Sequence, residues 1–305
     1  MYISITDIPQ FSQCEKVQDL VNSIDFKEKL LLAKNAEHVN YPAVAELKYE
    51  ALALLFEYFC NIATPPNSAE LESFIQFKQT HGDDLLQFAT FEALYEYFRS
   101  LDAIISALFC FWWTHWPEAY QKQNNAEIIA FREAHKQRIE YFCFVQWLAH
   151  CQLSAVKEAA QAQNMEIGLY LDLAVGCDGS GLDVWSNQAL YVAGASIGAP
   201  PDAMNALGQN WGLTPMNPVA LKEQGYQPLV KALRSNMQYS GALRIDHILG
   251  LMRQYWVAPN MAADEGVYIS FPFDEILRII ALESQRNKCI VIGEDLGNVP
   301  NVLVR

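Results

Sequence analysis

Two short apolar runs that each end in an acid, separated by a helical pattern, constrain this chain more than any other feature. The first is Leu243-Arg244-Ile245-Asp246-His247, and the second is Cys289-Ile290-Val291-Ile292-Gly293-Glu294-Asp295. Each run reads as a buried strand, and Asp274 to Asn287 between them reads as a helix. Strand–helix–strand at this spacing predicts a right-handed parallel crossover. Both carboxylates then fall at the same end of neighbouring parallel strands, where an α/β barrel carries its chemistry.

The rest of the chain divides by hydrophobic period. Residues 11 to about 160 read as helices. Pro42 to Cys60 places Val44, Leu47, Ala51, Leu54, Leu55 and Tyr58 on one face, with Pro in the first turn. Ser68 to Thr80 stops before Gly82, Asp84 to Ser100 repeats the pattern, and Ala126 to Gln161 follows. From Ile167 the grammar changes. Residues 167–175 read as a strand, Gly176 to about Pro218 as a long irregular functional loop, and Gln227 to Asn236 as a helix.

The fold class expected is α/β: a partial (β/α)8 TIM barrel with a large α-helical insertion. Residues 1–10 start a barrel-associated segment, 11–165 form the insertion, and 166–305 form the catalytic barrel portion, with the C-terminal barrel strands absent. The strands legible are Tyr2 to Ile5 (the weakest), 167–175, 243–245 and 289–292, fewer than a closed barrel needs.

Composition narrows the function classes. Apolar residues make up 51% of the chain and charged residues 18%, enough for a large packed core. The net charge of −14 argues against nucleic acid and anionic membranes as partners and fits a neutral or cationic ligand. The 7 cysteines include no C-x-x-C pair, which predicts reduced, buried thiols without disulfides or a zinc site. Cys177 beside Asp178 is a minor candidate nucleophile. The N-terminus lacks the basic start and long apolar region of a signal peptide, and the longest apolar-rich run, Ala103 to Trp113, is too short for a bilayer. A cytoplasmic location is expected.

Adjacent parallel strands stand about 4.8 Å apart, and the carboxyls of a retaining glycosidase lie about 5–5.5 Å apart. Asp246 and Glu294 are therefore compatible with a nucleophile and an acid/base on one glycosidic bond. Arg244 lies two residues before Asp246, so its side chain shares that face and is expected to keep Asp246 ionised. Burial after an apolar strand is expected to favour the protonated form of Glu294. The same spacing suits a metal-binding barrel with Asp246, His247, Glu294 and Asp295 as ligands. In the Gln209-Asn210-Trp211-Gly212-Leu213 cluster, an indole can stack on a sugar and amides can bind its hydroxyls. Trp112, Trp113, Trp116 and Trp147 lie in helical runs and read as core, while Asp172 and Asp183 read as structural acids.

These residues resemble the 4-α-glucanotransferases, the amylomaltases of glycoside hydrolase family 77, closest to the long bacterial form. The resemblance rests on Arg244-Ile245-Asp246-His247, on Ile292-Gly293-Glu294-Asp295-Leu296-Gly297, and on Gly198-Ala199-Pro200-Pro201-Asp202 followed by Gly208-Gln209-Asn210-Trp211-Gly212. Gly168 to Gly176 matches the family's preceding strand. Trp116-Pro117-x-x-Tyr120 and Phe144-x-x-Trp147-Leu148 match its helical portion.

The resemblance implies a disproportionating enzyme acting on maltodextrin or related α-1,4-glucans, with no metal and no organic cofactor. It implies Asp246 as nucleophile, Glu294 as acid/base and Arg244 as support for the nucleophile. It also implies Asp178 near the donor sugar, Gln209 and Trp211 on the acceptor side, and His247 as a substrate-binding residue. Some members carry Pro where this chain has Thr214. The family's third catalytic acid sits in a His-Asp-Leu-Pro context, and no His-Asp pair occurs in these residues. The chain is accordingly expected to be an incomplete portion of such an enzyme, and a non-catalytic glucan-binding remnant is the alternative reading.

Overall fold

In a computed structural model the described residues are 2–62, 69–105, 112–123, 125–203 and 205–296. The chain forms two compact units, residues 1–100 with 127–153, and residues 101–126 with 154–305.

The first unit is helical. It is built from α1 (Glu15–Asn22), α2 (Ile24–Lys34), α3 (Tyr41–Ile62), most of α4 (Ala69–Ile105), α6 (Ala126–Ala134) and the first part of α7 (Lys136–Ala162); the short α5 (Glu118–Gln121) lies in the second unit. Asn40 caps α3 by accepting from the Ala43 N–H at 3.1 Å, ahead of the Pro at the second helical position. Gly82 breaks the run of α4 with φ 44° and ψ −125°, the stop expected at that residue. The pattern from Ala126 to Gln161 divides at His135 into α6 and α7. An aromatic core joins α3, α4 and α7: the Phe59 ring lies 5.0 Å from Phe144, and Phe74 lies 5.5 Å from Trp147. Tyr2 to Ile5 forms no strand; Ile3 is buried against helices instead.

The second unit carries two sheets. Strands β1 (Tyr170–Leu173), β5 (Ala242–Ile245) and β8 (Ile290–Gly293) form a parallel sheet in the order β1-β5-β8. Strands β2 (Cys177–Asp178), β3 (Ser196–Ala199), β4 (Gln209–Thr214), β6 (Arg253–Val257) and β7 (Val267–Ser270) form an antiparallel sheet in the order β2-β4-β3-β6-β7. Helices α8 (Leu182–Ser186), α9 (Pro218–Glu223), α10 (Gln227–Met237) and α11 (Phe273–Asn287) complete the unit. The parallel strands with α10 before β5 and α11 before β8 are the partial (β/α)8 barrel expected, and the helical insertion precedes them.

The barrel core follows from strand alternation. Leu171, Leu173, Leu243, Ile245 and Val291 pack against Leu229, Leu233 and Met237 of α10 and Ile276 and Ile280 of α11. Tyr170, Asp172, Arg244 and Ile292 take the opposite face. Glu283 of α11 is buried at 2% exposure, and its carboxylate accepts from Arg234 of α10 at 2.7 and 2.8 Å. The pair ties the two crossover helices together.

The antiparallel sheet was not expected. The stretch from Gly176 to Pro218, read as an irregular loop, holds β2, α8, β3 and β4, while β6 and β7 lie between β5 and α11. Both stretches leave the barrel after the C-terminal end of a parallel strand and meet where β3 pairs with β6. Gly198 permits the close approach of β3 to β4, because a Cβ there would stand 2.0 Å from the Gln209 carbonyl oxygen. Trp113 anchors this region from the 112–116 segment, its indole donating to the Gly179 carbonyl at 2.9 Å.

That segment is a 3-10 turn, not part of a longer helix. Trp113, Trp116 and Trp147 are buried as expected, but Trp112 is 55% exposed. Much of the apolar run from Ala103 lies outside the described residues. Among the described cysteines Cys14, Cys143 and Cys289 are buried, but Cys60 is exposed. Among the described residues no helix is long and apolar enough to cross a membrane.

Candidate active site

The site is assembled by strand register. Ile245 of β5 stands opposite Leu173 of β1 and Gly293 of β8. The next residues along β5 and β8 are Asp246 and Glu294, so the two acids leave adjacent strands side by side. Backbone bonds continue past the strand ends and fix this relation. The Asp246 N–H donates to the Leu173 carbonyl at 3.0 Å, and the Glu294 N–H donates to Ile245 at 3.0 Å. The Ile248 N–H donates to the Glu294 carbonyl at 2.9 Å.

Arg244 shares a face with Asp246 and reaches it, Nη2 to Oδ1, at 2.9 Å. Its Nη1 donates to Asp172 Oδ2 at 2.6 Å. Asp172, read as a structural strand acid, stands opposite Arg244 in the sheet and orients the guanidinium. The signal available in the sequence was parity: Asp172 precedes Leu173 as Arg244 precedes Ile245. Desolvation works against the Arg244 charge, but Asp172 and Asp246 outweigh it and hold the guanidinium above its ordinary pKa.

Glu294 differs from expectation. It is half-buried, not buried, and its Oε2 accepts from the His247 backbone N–H at 2.8 Å. The carboxylate therefore holds the turn that follows Asp246.

His247 in that turn has φ 50° and ψ 61°, left-handed geometry uncommon for a residue with a side chain. The bonds from Glu294 on either side of it supply the restraint. Its imidazole meets the Trp211 indole edge to face, with centroids 5.3 Å apart at 85°. Trp211 Nε1 in turn donates to Gln209 Oε1 at 2.8 Å. Gln209 and Trp211 on β4 are thus joined to the acid pair through His247. Asp178 is held locally: its Oδ1 accepts from Ser180 N and Oγ, both at 2.8 Å, in a turn closed on itself. Asp178 is exposed at the end of β2, and no side-chain contact links it to Arg244, Asp246 or Glu294.

Asp246 and His247 edge a cavity of about 240 Å³ with mostly apolar walls, into which Cys177, Tyr191 and Gln254 also face. Burial pushes the Cys177 thiol up to about 11, against the hydrogen bond from Tyr191. A thiol protonated at neutral pH is a poor nucleophile, which weighs against the Cys177 reading. Among the described residues no group of three or more His, Cys, Asp or Glu is placed to hold a metal ion.

Burial lowers the His247 pKa below its ordinary 6.5, against the opposing pull of Glu294 and Asp246. The folded state therefore resists protonation more than the unfolded chain does. Stability is full above pH 6.5 and falls as pH drops through 6.5 toward the lower folded value. Thermal melting scanned from pH 7.5 to 5.5 is expected to show this fall. It is expected to be smaller in His247→Asn, because Asn tolerates left-handed backbone and does not titrate. His150 in the helical unit, also lowered by burial and by His81, acts in the same direction.

Comparison with known proteins gives the family and the fold. The family described as 4-alpha-glucanotransferase, glycoside hydrolase family 77, matches residues 1–305. The chain belongs to this family. It is 36% identical to the 4-alpha-glucanotransferase of Haemophilus influenzae over 99% of its own length and 43% of that protein's. It is 33% identical to the 4-alpha-glucanotransferase of Mycobacterium bovis over 77% of its length and 31% of that protein's. The crystal structure of amylomaltase from Corynebacterium glutamicum superposes with a TM-score of 0.78 at 31% identity, covering 99% of this chain and 39% of that one. An amylomaltase from Streptococcus agalactiae in complex with acarbose, at 20% identity and TM-score 0.74, shares the fold. This 4-alpha-glucanotransferase family member thus spans less than half the length of the Haemophilus, Mycobacterium and Corynebacterium relatives, and about half of the Streptococcus one.

Proposed function

We propose that this chain carries the nucleophile and acid/base of a 4-α-glucanotransferase that moves α-1,4-glucan segments between maltodextrins by retaining double displacement. The observation that carries the reading is the placement of Asp246 and Glu294 side by side at the ends of β5 and β8, with Arg244 bonded to Asp246. Asp246 attacks the anomeric carbon while Glu294 protonates the leaving glucan oxygen, giving a glycosyl-enzyme. Glu294 then takes the proton of an incoming sugar hydroxyl, which displaces Asp246 with net retention.

Transfer prevails over hydrolysis where the acceptor sugar binds well and keeps water from the intermediate. Gln209, Trp211, His247 and Asp178 bind the flanking sugars, with Trp211 stacking on a ring face. Residues 11–165 act as the helical insertion and 166–305 as the barrel portion. The acidic surface and neutral glucan substrate fit a cytoplasmic protein without nucleic acid or membrane partners.

The test is incubation with maltotriose and separation of products by size. A ladder of longer and shorter maltodextrins supports transfer, glucose with maltose alone means hydrolysis, and binding without products favours the glucan-binding remnant. Replacing Asp172 by Asn is expected to lower the transfer rate about tenfold with little change in affinity, because Arg244 loses the partner that aims it at Asp246. Steady-state kinetics checks it: a change in KM alone would contradict the positioning role.

A further inference from the structure

His247 lines a second cavity, of about 90 Å³, whose walls include Pro200, Asp202, Leu249, Arg253 and Tyr268. Arg253 begins β6, and its guanidinium carbon lies 4.4 Å from the centroid of the Tyr268 ring on β7. The cation–π contact positions the guanidinium without using its N–H donors. Arg138, Arg234 and Arg244 each meet a carboxylate. Arg253 is half-buried, and among the described residues its guanidinium has neither a hydrogen bond nor an ion pair. A half-desolvated donor fork without an acceptor costs stability, and a ligand bearing acceptor oxygens relieves that cost.

The walls narrow what that ligand is. Asp202 sets a carboxylate on the same small cavity as the guanidinium, and the chain carries a net charge of −14. Both repel an anion. A donor fork and an acceptor carboxylate together suit an uncharged group with neighbouring hydroxyls, each of which donates and accepts. Pro200 and Leu249 offer apolar surface to the C–H face of a ring. His247 directly follows Asp246 in the chain, so sugar units that reach this imidazole lie next to the reacting carboxylate.

We propose that Arg253, with Asp202 and Tyr268, forms a sugar subsite sharing the His247 wall with the reacting centre, and that Arg253 thereby sets the length of glucan preferred. This rests on the glucan reading above. The experiment is calorimetric titration of the chain with maltose, maltotriose, maltopentaose and maltoheptaose, comparing wild type with Arg253→Ala, Arg253→Lys and Asp202→Asn. Affinity of the wild type is expected to rise with length. Arg253→Ala is expected to lose about tenfold for the longest glucan, with Arg253→Lys recovering part and Asp202→Asn losing several-fold. Where Arg253→Ala fails to melt cooperatively, Asp202→Asn on the exposed loop decides. Parallel length dependence in wild type and variants overturns the subsite alone. A wild type that binds no maltooligosaccharide of any length overturns the glucan reading and the subsite with it.

Discussion

Replacing Asp246 by Asn is expected to remove the maltodextrin ladder, with transfer falling on the order of a thousandfold or more. The amide is nearly isosteric with the carboxylate but cannot form the glycosyl ester. The loss is chemical, not structural. The Asp246 N–H bond to Leu173 involves the backbone, and Arg244 keeps Asp172 as its second partner. The melting temperature of the variant is accordingly expected to stay within a degree or two of wild type. Product separation after incubation with maltotriose, alongside a melting curve, checks both parts. A folded Asp246→Asn protein with undiminished transfer would sink the nucleophile assignment.

Glu294 is expected to separate into two roles when two substitutions are compared. Gln keeps a carbonyl oxygen able to accept from the His247 N–H, but it cannot donate or take a proton. Ala loses both. Transfer is expected to fall about 10²–10⁴-fold in either variant, the range for loss of a general acid/base. Only Glu294→Ala is expected to destabilise the fold, by about 1–3 kcal/mol, because the His247 N–H in its left-handed turn is left without an acceptor. Denaturant unfolding of the two variants reads this difference.

An aryl maltoside sharpens the catalytic half. Its leaving group departs without protonation, so release of the phenol by Glu294→Gln is expected to recover while transfer to a sugar acceptor stays slow. Equal slowing on both donors would mean that Glu294 is not the acid.

Local rules reached a long way into this fold. The apolar runs at 243–245 and 289–292, with Asp274 to Asn287 between, were enough for the parallel crossover; β5 is buried as read, but Ile290 and Ile292 of β8 are exposed, 55% and 45%. The α3 helix and the break at Gly82 were legible for similar reasons, since helix period and backbone geometry are local properties; of the face read for α3, Leu47, Ala51 and Leu55 are buried, joined by Leu52, Phe56 and Phe59. The antiparallel sheet escaped because β2, β3 and β4 are short and rich in Gly, Asn and Pro surroundings, and their pairing is settled by partners far along the chain. Ile197 pairs with Leu213 on one side and Trp256 on the other. No window of sequence contains those neighbours.

The candidate site divides along the same line. Asp246, Glu294 and Arg244 were found from the sequence because each sits at or just before the end of a legible strand, and two-residue parity puts Arg244 and Asp246 on one face. The partner of Asp172 was not legible, since it lies 72 positions away and only the sheet register brings it to Arg244. The sequence by itself determined that two acids would leave neighbouring parallel strands together, since apolar period and strand direction require no distant contact. Only the tertiary structure decided how they are held. The Glu294 carboxylate grips the His247 turn, His247 meets Trp211, and Arg253 faces a cavity without a partner among the described residues. Those relations come from the packing of two sheets whose strands interleave along the chain, and hydrogen bonds between distant residues leave no periodic mark in sequence.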